Sequence, residues 1–271
     1  MNNKLFITVA PNISVKNAKK LKEWDFSPAG IAREVTRACN AGASIAHLHV
    51  CDESGNPTTD TDVFKKTISL IRESCNIVIE GSTGGLNSLS AKQRAVALET
   101  DIELASLNPG SVNYNNDVYI NSPADIAYWI PEMHKQKIKA DITVFEPGMI
   151  ENTMLYAQKN LLSSPFLFTF VLGLNGAMPA TPKNLLFLSE SIPAGSFWCS
   201  CGQNGSDLQM DVLAMNMGGN VRAGFEDNPY YKPGVLAQSN AQLIERLVRI
   251  THEVGREIAS PDEVRQLLKL I

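Results

Sequence analysis

The residues best suited to chemistry stand in "HLHVCD", where His47 and His49 are separated by one leucine. Alternate residues of an extended strand point to one face, so both imidazoles project together while Leu48 faces the other way. Two neutral imidazoles side by side make a chelate for zinc or a similar borderline cation. The competing reading packs one histidine in the core and leaves the other bonded to a loop. A third ligand is needed. Cys51 shares the face by parity, although the strand is ending there. His134 and His252 fall in segments of helical period. Glu226 and Asp227, in "VRAGFEDN" just past the last strand, are better placed; otherwise they are an acidic pair on a surface loop.

The elements that must position these groups alternate in type. Strand-like runs are expected at 5–10, 43–50, 77–80, 102–107, 139–145, 167–172, 196–200 and 220–223. Helical periodicity is expected over 31–41, 60–74, 90–98, 123–133, 152–159, 182–191, 207–217 and 240–254. Ser27-Pro28 ahead of the first helix fits an N-cap followed by proline. Eight strand–helix units imply parallel strands under covering helices, and no composition break divides them. The expectation is one α/β domain over residues 1–271, a (β/α)8 TIM barrel. A doubly wound open sheet is the alternative, but "GSTGG" (Gly81 to Gly85) lacks dinucleotide-fingerprint spacing.

In a barrel the site lies at the C-terminal strand ends. Those ends read Asn12 and Ser14; His47 and His49; Ser82 and Thr83; Ser106 and Asn108; Glu146; Asn175; Cys201 and Gln203; Arg222, Glu226 and Asp227. Loops are polar anyway, so this list alone decides nothing.

The 271 residues are 44% hydrophobic and 19% charged with a net charge of −4, which argues against a nucleic-acid surface. The apolar run before Pro11 is too short for a signal peptide, and no segment reaches membrane-spanning length. Five cysteines inside apolar runs fit reduced thiols in a cytoplasmic protein better than a disulfide framework.

The motifs "AGASIAHLHVCD", "EGSTGG", "ASLNPGSVNY", "FVLGLNGAMPATPKNL", "VRAGFEDNPYYKPGVLAQSNAQLIERLVRI" and "GREIASP" closely resemble the β-keto acid cleavage enzymes, over essentially the whole chain. The resemblance implies a zinc-dependent barrel enzyme, with another divalent transition metal as the alternative ion. It would turn a β-keto acid and acetyl-CoA into acetoacetate and a new acyl-CoA by enolate attack and retro-Claisen cleavage. It implies metal ligands at His47, His49 and Glu226, a base at Asp227 and its partner at Arg222. Ser82 and Ser106 would hold the substrate carboxylate, with Thr83, Gly84, Asn108 and Glu146 as pocket neighbours. A homo-oligomer, commonly a tetramer, is also implied.

Two departures bear on substrate. Family members acting on an amino-bearing keto acid carry a glutamate at the end of strand one, where this chain has Val15 beside Ser14. A keto acid without a cationic tail is therefore expected. The family's usual arginine is replaced by Cys51. Two rival readings stand beside the resemblance. A metal-dependent hydrolase of the amidohydrolase type would need its H-x-H pair on strand one and more histidines at later strand ends. A ligand-binding barrel without turnover is the other.

Overall fold

The structure is a computed structural model that describes residues 3–13, 15–21, 24–49 and 51–270, with 15 and 16 given by backbone only. Ile7–Val9 (β1), Ile45–Leu48 (β2), Val78–Gly81 (β3), Leu104–Leu107 (β4), Lys139–Val144 (β5), Leu167–Leu172 (β6), Phe197–Gly202 (β7) and Asn220–Ala223 (β8) close into a parallel barrel in that order. Outside run Pro28–Asn40 (α1), Thr61–Ser74 (α2), Ala91–Arg94 (α3), Pro123–Lys135 (α4), Gly148–Gln158 (α5), Pro182–Ser191 (α6), Asp207–Asn216 (α7) and Asn240–Glu253 (α8). This is the expected (β/α)8 architecture.

Helix starts follow local chemistry. The Ser27 hydroxyl accepts from the Gly30 amide with Pro28 in the first turn, and Ser122 and Asp125 form a reciprocal capping box ahead of α4. The 90–98 segment divides into α3 and a 3-10 turn, Val96–Glu99, while α5 begins four residues earlier than its periodicity suggests, at Gly148.

Strand parity separates two environments. Ile7, Val9, Leu48, Ile79, Leu107, Val144, Phe168 and Phe170 belong to the main core beneath the helices. The alternate positions His47, Glu80, Ser106, Asp141, Thr169 and Arg222 are buried and polar. The strands are thus less uniformly apolar than strands filling an inert barrel, because this layer feeds the mouth. At the opposite end, Phe6, Ile45, Val78, Leu104 and Leu167 pack with Val264 and Leu268 of a C-terminal helix, Pro261–Leu268 (α9). That plug leaves the C-terminal mouth as the open end.

The first strand is shorter than its apolar run. Lys4–Leu5 pairs with Glu257–Ile258 outside the barrel, and the Phe6 amide donates to the side-chain Oδ1 of Asn220 on β8 at 3.0 Å instead of to a strand carbonyl. Two hairpins were not expected: Val112–Tyr114 with Asp117–Tyr119 after β4, and Tyr230–Lys232 with Val235–Leu236 after β8. Their strands are short and largely exposed, so no alternation marks them. Asn115, at φ 53°, turns the first hairpin, and its amide donates to the Asn175 carbonyl at 2.8 Å, fixing it beside the loop after β6.

Candidate active site

His47 on β2, His49 just past its end and Glu226 past the end of β8 converge as the sequence suggested. One ligand atom each from His47, His49 and Glu226 lies within 4.8 Å of the others. The two Nε2 atoms are 3.4 Å apart. Glu226 Oε1 is 3.7 Å from His47 Nε2 and 3.5 Å from His49 Nε2. His47 Nδ1 lies 2.8 Å from Glu80 Oε1; donation there leaves Nε2 as a lone pair facing the carboxylate. Burial, followed by the Arg222 guanidinium, pushes His47 down to about 3, so its ring is neutral at pH 7. Burial also opposes charge on His49, but Glu226 outweighs it and raises its pKa. For Glu226, burial is outweighed by His49 and Arg222, which hold the carboxyl below its usual range.

The donor set fits a divalent cation. Glu226 Oε2 is buried without a hydrogen-bond partner. An unpaired buried acceptor costs about 1–3 kcal/mol, and more when charged, whereas a cation between the rings and the carboxylate would satisfy it. Three protein ligands also leave positions for a substrate, as a catalytic zinc site requires.

Arg222 organises the acids. Its Nη2 donates to Glu226 Oε1 at 2.8 Å, its Nε to Asp227 Oδ2 at 2.9 Å and its Nη2 to Asp227 Oδ1 at 3.1 Å. Burial disfavours the guanidinium charge, but Asp227 and the other anionic neighbours outweigh it and raise the pKa. Gln203 Nε2 donates to Asp227 Oδ1 at 2.7 Å. Gly224 lets β8 deliver this group: a Cβ there would lie 2.0 Å from the Ala10 carbonyl oxygen on the neighbouring chain segment.

These residues line a cavity of about 680 Å³ at the mouth, within the usual range for small-molecule sites. Ser82, Gly84, Ser106 and Asn108 line it, as expected. Ser82 and Ser106 hydroxyls are 3.5 Å apart. Thr83 is fully buried instead: its hydroxyl donates to the Ser106 carbonyl at 2.6 Å and its amide to Ser106 Oγ at 3.1 Å. Glu146 is not among the lining residues, because the chain turns after Phe145 into α5; burial raises its pKa. Cys51 is also away from the lining. The strand ends at Leu48, and Cys51 bridges Pro57 with Sγ 3.8 Å from the Phe26 carbonyl. Ser14 and the Val15 side chain, both expected to set specificity, lie outside the described residues. His134 and His252 sit on α4 and α8, as their periodicity indicated.

Sequence reasoning missed Glu80, Tyr119, Thr143, Phe145, Val171 and Leu174. Glu80 pairs in register with His47, and the only sign of it was an acid inside the apolar run "IVIEG". Tyr119 arrives from the unexpected hairpin. The others line the cavity from β5, β6 and the loops after them.

Fold and site together define a (β/α)8 barrel with a candidate divalent-cation centre at its mouth. The beta-keto acid cleavage enzyme family matches residues 4–270. The 3-keto-5-aminohexanoate cleavage enzyme of Fusobacterium nucleatum is 41% identical over 100% of this chain and 99% of its own. The 3-oxoadipate:acetyl-CoA acetyltransferase of Cupriavidus necator is 32% identical over 86% of this chain and 83% of its own. The fold is similar to that of ObcA in its ternary complex with a C4-CoA adduct and oxalate, with a TM-score of 0.77, 20% identity, and coverage of 90% of this chain and 67% of that one. The chain belongs to the β-keto acid cleavage enzyme family.

Proposed function

We propose that this protein transfers acyl groups between a β-keto acid and acetyl-CoA, yielding acetoacetate and a new acyl-CoA, with a divalent cation, zinc in the first instance, held by His47, His49 and Glu226. The observation that supports this most directly is the pairing of that triad with Asp227 on the same strand end, both gripped by Arg222. A divalent ion bound there supplies Lewis acidity to the keto and carboxylate oxygens of the substrate.

Asp227 is the base. Arg222 and Gln203 hold its carboxylate with three hydrogen bonds, which fixes its position against the substrate α-carbon, and geometry comes first for a general base. Loss of the α-proton to Asp227 leaves a carbon nucleophile that adds to the acetyl thioester carbonyl, and the carbon–sulfur bond breaks to expel coenzyme A as its thiolate. The thiolate adds to the distal keto carbon, the bond between that carbon and the α-carbon breaks, and protonated Asp227 returns its proton to the α-carbon. The two-carbon carboxylate fragment leaves with the acetyl group as acetoacetate, and the rest of the keto acid leaves as its thioester. Ser82 and Ser106, whose hydroxyls lie 3.5 Å apart on the cavity wall, bind the substrate carboxylate.

The tail is read as uncharged or anionic. Thr143, Phe145, Val171 and Leu174 give the cavity a neutral wall. Asp117, the acidic lining residue outside the metal cluster, sits on an exposed hairpin strand with Oδ1 occupied by the Val118 amide. The hydrolase reading finds no support: among the described residues no third histidine reaches the mouth.

The test is a panel of β-keto acids with cationic, neutral and anionic tails, each given acetyl-CoA, with metal-loaded and chelator-treated protein. Acetoacetate and acyl-CoA should appear together and only in the loaded samples. Higher kcat/KM on amino-keto acids than on neutral ones would overturn the tail reading, and silence across the panel would overturn the reaction.

A further inference from the structure

We propose that the Tyr119 hydroxyl donates a hydrogen bond to the carboxylate of the bound β-keto acid, joining Ser82 across the Gly84 backbone; the assignment rests on the β-keto acid reading above. A phenol carries one donor and two acceptor lone pairs. Arg94 Nη2 donates to the Tyr119 oxygen at 3.2 Å and Asn108 Nδ2 donates at 3.3 Å. The Gly85 amide also faces it. Both lone pairs are therefore engaged by donors. The phenolic hydrogen makes no bond to any acceptor among the described residues, and the side chain lines the cavity. A hydrogen so placed needs an acceptor that no described residue provides.

The position suits a substrate head group. A Cβ on Gly84 would lie 3.0 Å from Ser82 Oγ, 3.0 Å from the Tyr119 oxygen and 3.5 Å from His49 Cε1. The serine hydroxyl, the phenol and the candidate metal ligand thus surround one patch of backbone kept bare by glycine. Ser82 Oγ accepts from the Gly84 amide at 3.0 Å, and its 3.5 Å contact with Ser106 Oγ leaves at least one of the two hydroxyl hydrogens for a ligand.

Charge sets the sign of the ligand. Arg94 is 4% exposed and forms no ion pair among the described residues. Its partners are the carbonyls of Thr83 and Ile120, the Asn121 side-chain oxygen and the Tyr119 phenol, and it stacks on Tyr119 and Trp129 at 5.3 and 4.5 Å. A buried cation without a counter-anion favours negative charge nearby. On the β8 side Arg222 already pairs with Glu226 and Asp227, whereas Arg94 is left without an anion, so the carboxylate oxygen not turned to the cation belongs at the Tyr119 end. The ring itself is already held by Arg94 and by an edge contact to Phe145 at 6.1 Å, so packing alone does not require the hydroxyl.

Tyr119→Phe tests the assignment in metal-loaded protein, with acetoacetate as the β-keto acid probe and methyl acetoacetate as its uncharged counterpart. Calorimetry should show acetoacetate bound about tenfold or more weakly by the variant, the range for losing a hydrogen bond to a charged group. Affinity for methyl acetoacetate, KM for acetyl-CoA, metal content and Tm should stay at wild-type values. Equal acetoacetate affinity in both proteins would overturn the assignment and show the phenolic hydrogen spent on Asn108. A parallel loss for acetyl-CoA, methyl acetoacetate or Tm would overturn it in favour of a structural role. A wild-type protein that binds no β-keto acid would sink the functional reading itself and this assignment with it.

Discussion

His47 Nδ1 and Glu80 Oε1 lie 2.8 Å apart in the barrel interior, where the two residues are 4% and 2% exposed. The contact is set by register, since the two residues pair directly between β2 and β3. It fixes the tautomer of His47 and aims its Nε2 at the cavity. Partners of this kind behind a metal-ligating histidine change metal affinity by about 10–100-fold. Glu80→Ala should lose that much affinity for zinc or cobalt in a chelator competition. Glu80→Gln, which keeps an acceptor oxygen, should lose less. Wild-type affinity in the alanine variant would show that His47 needs no support.

Metal binding should be pH-dependent through His49. Burial opposes its charge but Glu226 prevails, so its pKa is raised, while His47 is held at about 3. A protonated imidazole cannot ligate, so a proton competes for one ligand below the His49 pKa. Affinity should rise about tenfold per pH unit in that range and level off above it. Titrations of cobalt binding between about pH 5 and 8 check this. A slope of two protons would mean that a second group gives up a proton on binding, Glu80 foremost, since burial pushes it up to about 7.

The barrel was legible because eight apolar runs alternate with eight segments of helical period, and that pattern survives errors of a few residues at each boundary. The metal triad was legible for a related reason: strand parity pairs His47 with His49, and closure of the barrel brings strand eight round to strand two. The rest depended on register and on short loops. Glu80 matters only because it pairs with His47, which no local pattern announces. Thr83 and Ser106 looked alike as strand-end hydroxyls, but Thr83 is buried behind the wall and holds Ser106 in place. Glu146 stands one residue past Phe145, far enough for the turn into α5 to take it off the lining. Tyr119 came from a hairpin too short and too exposed to show periodicity.

Among the thiols, Cys75 should react first. The neighbouring Cys39 thiol, helped by the Ile77 amide, Thr36 and Arg72, holds Cys75 well below the usual thiol range despite partial burial. Burial pushes Cys51 up to about 11, and Cys199 and Cys201 well above an ordinary thiol. The thiolate is the reacting form. At neutral pH, iodoacetamide followed by peptide mapping should therefore mark Cys75 ahead of the other four, with a pH–rate midpoint below that of free cysteine. Cys39→Ala should move that midpoint up. Labelling led by Cys51, or spread evenly, would contradict the arrangement.

Gly224 offers a test of how tightly the carboxylates are tied to the fold. A Cβ there would meet the Ala10 oxygen at 2.0 Å and its carbonyl carbon at 2.6 Å. Both obstacles are backbone, so no side chain can move aside. The Glu226 amide donates to that same Ala10 oxygen at 3.2 Å, and the Asp227 amide donates to the Gly224 carbonyl at 3.1 Å. Gly224→Ala must therefore push the end of β8 away from the segment after β1 and take both acids with it. Overpacking of this kind costs about 1–3 kcal/mol, or roughly 2–4 °C in Tm for each kcal/mol in a chain near this size. Metal affinity should fall in the same variant. Gly148→Ala is the control, because nothing lies within 4 Å of its Cβ position and it opens a helix; alanine there should leave Tm unchanged or slightly higher. If Gly224→Ala lowered Tm while binding metal with wild-type affinity, Glu226 would not depend on this strand contact for its place in the triad.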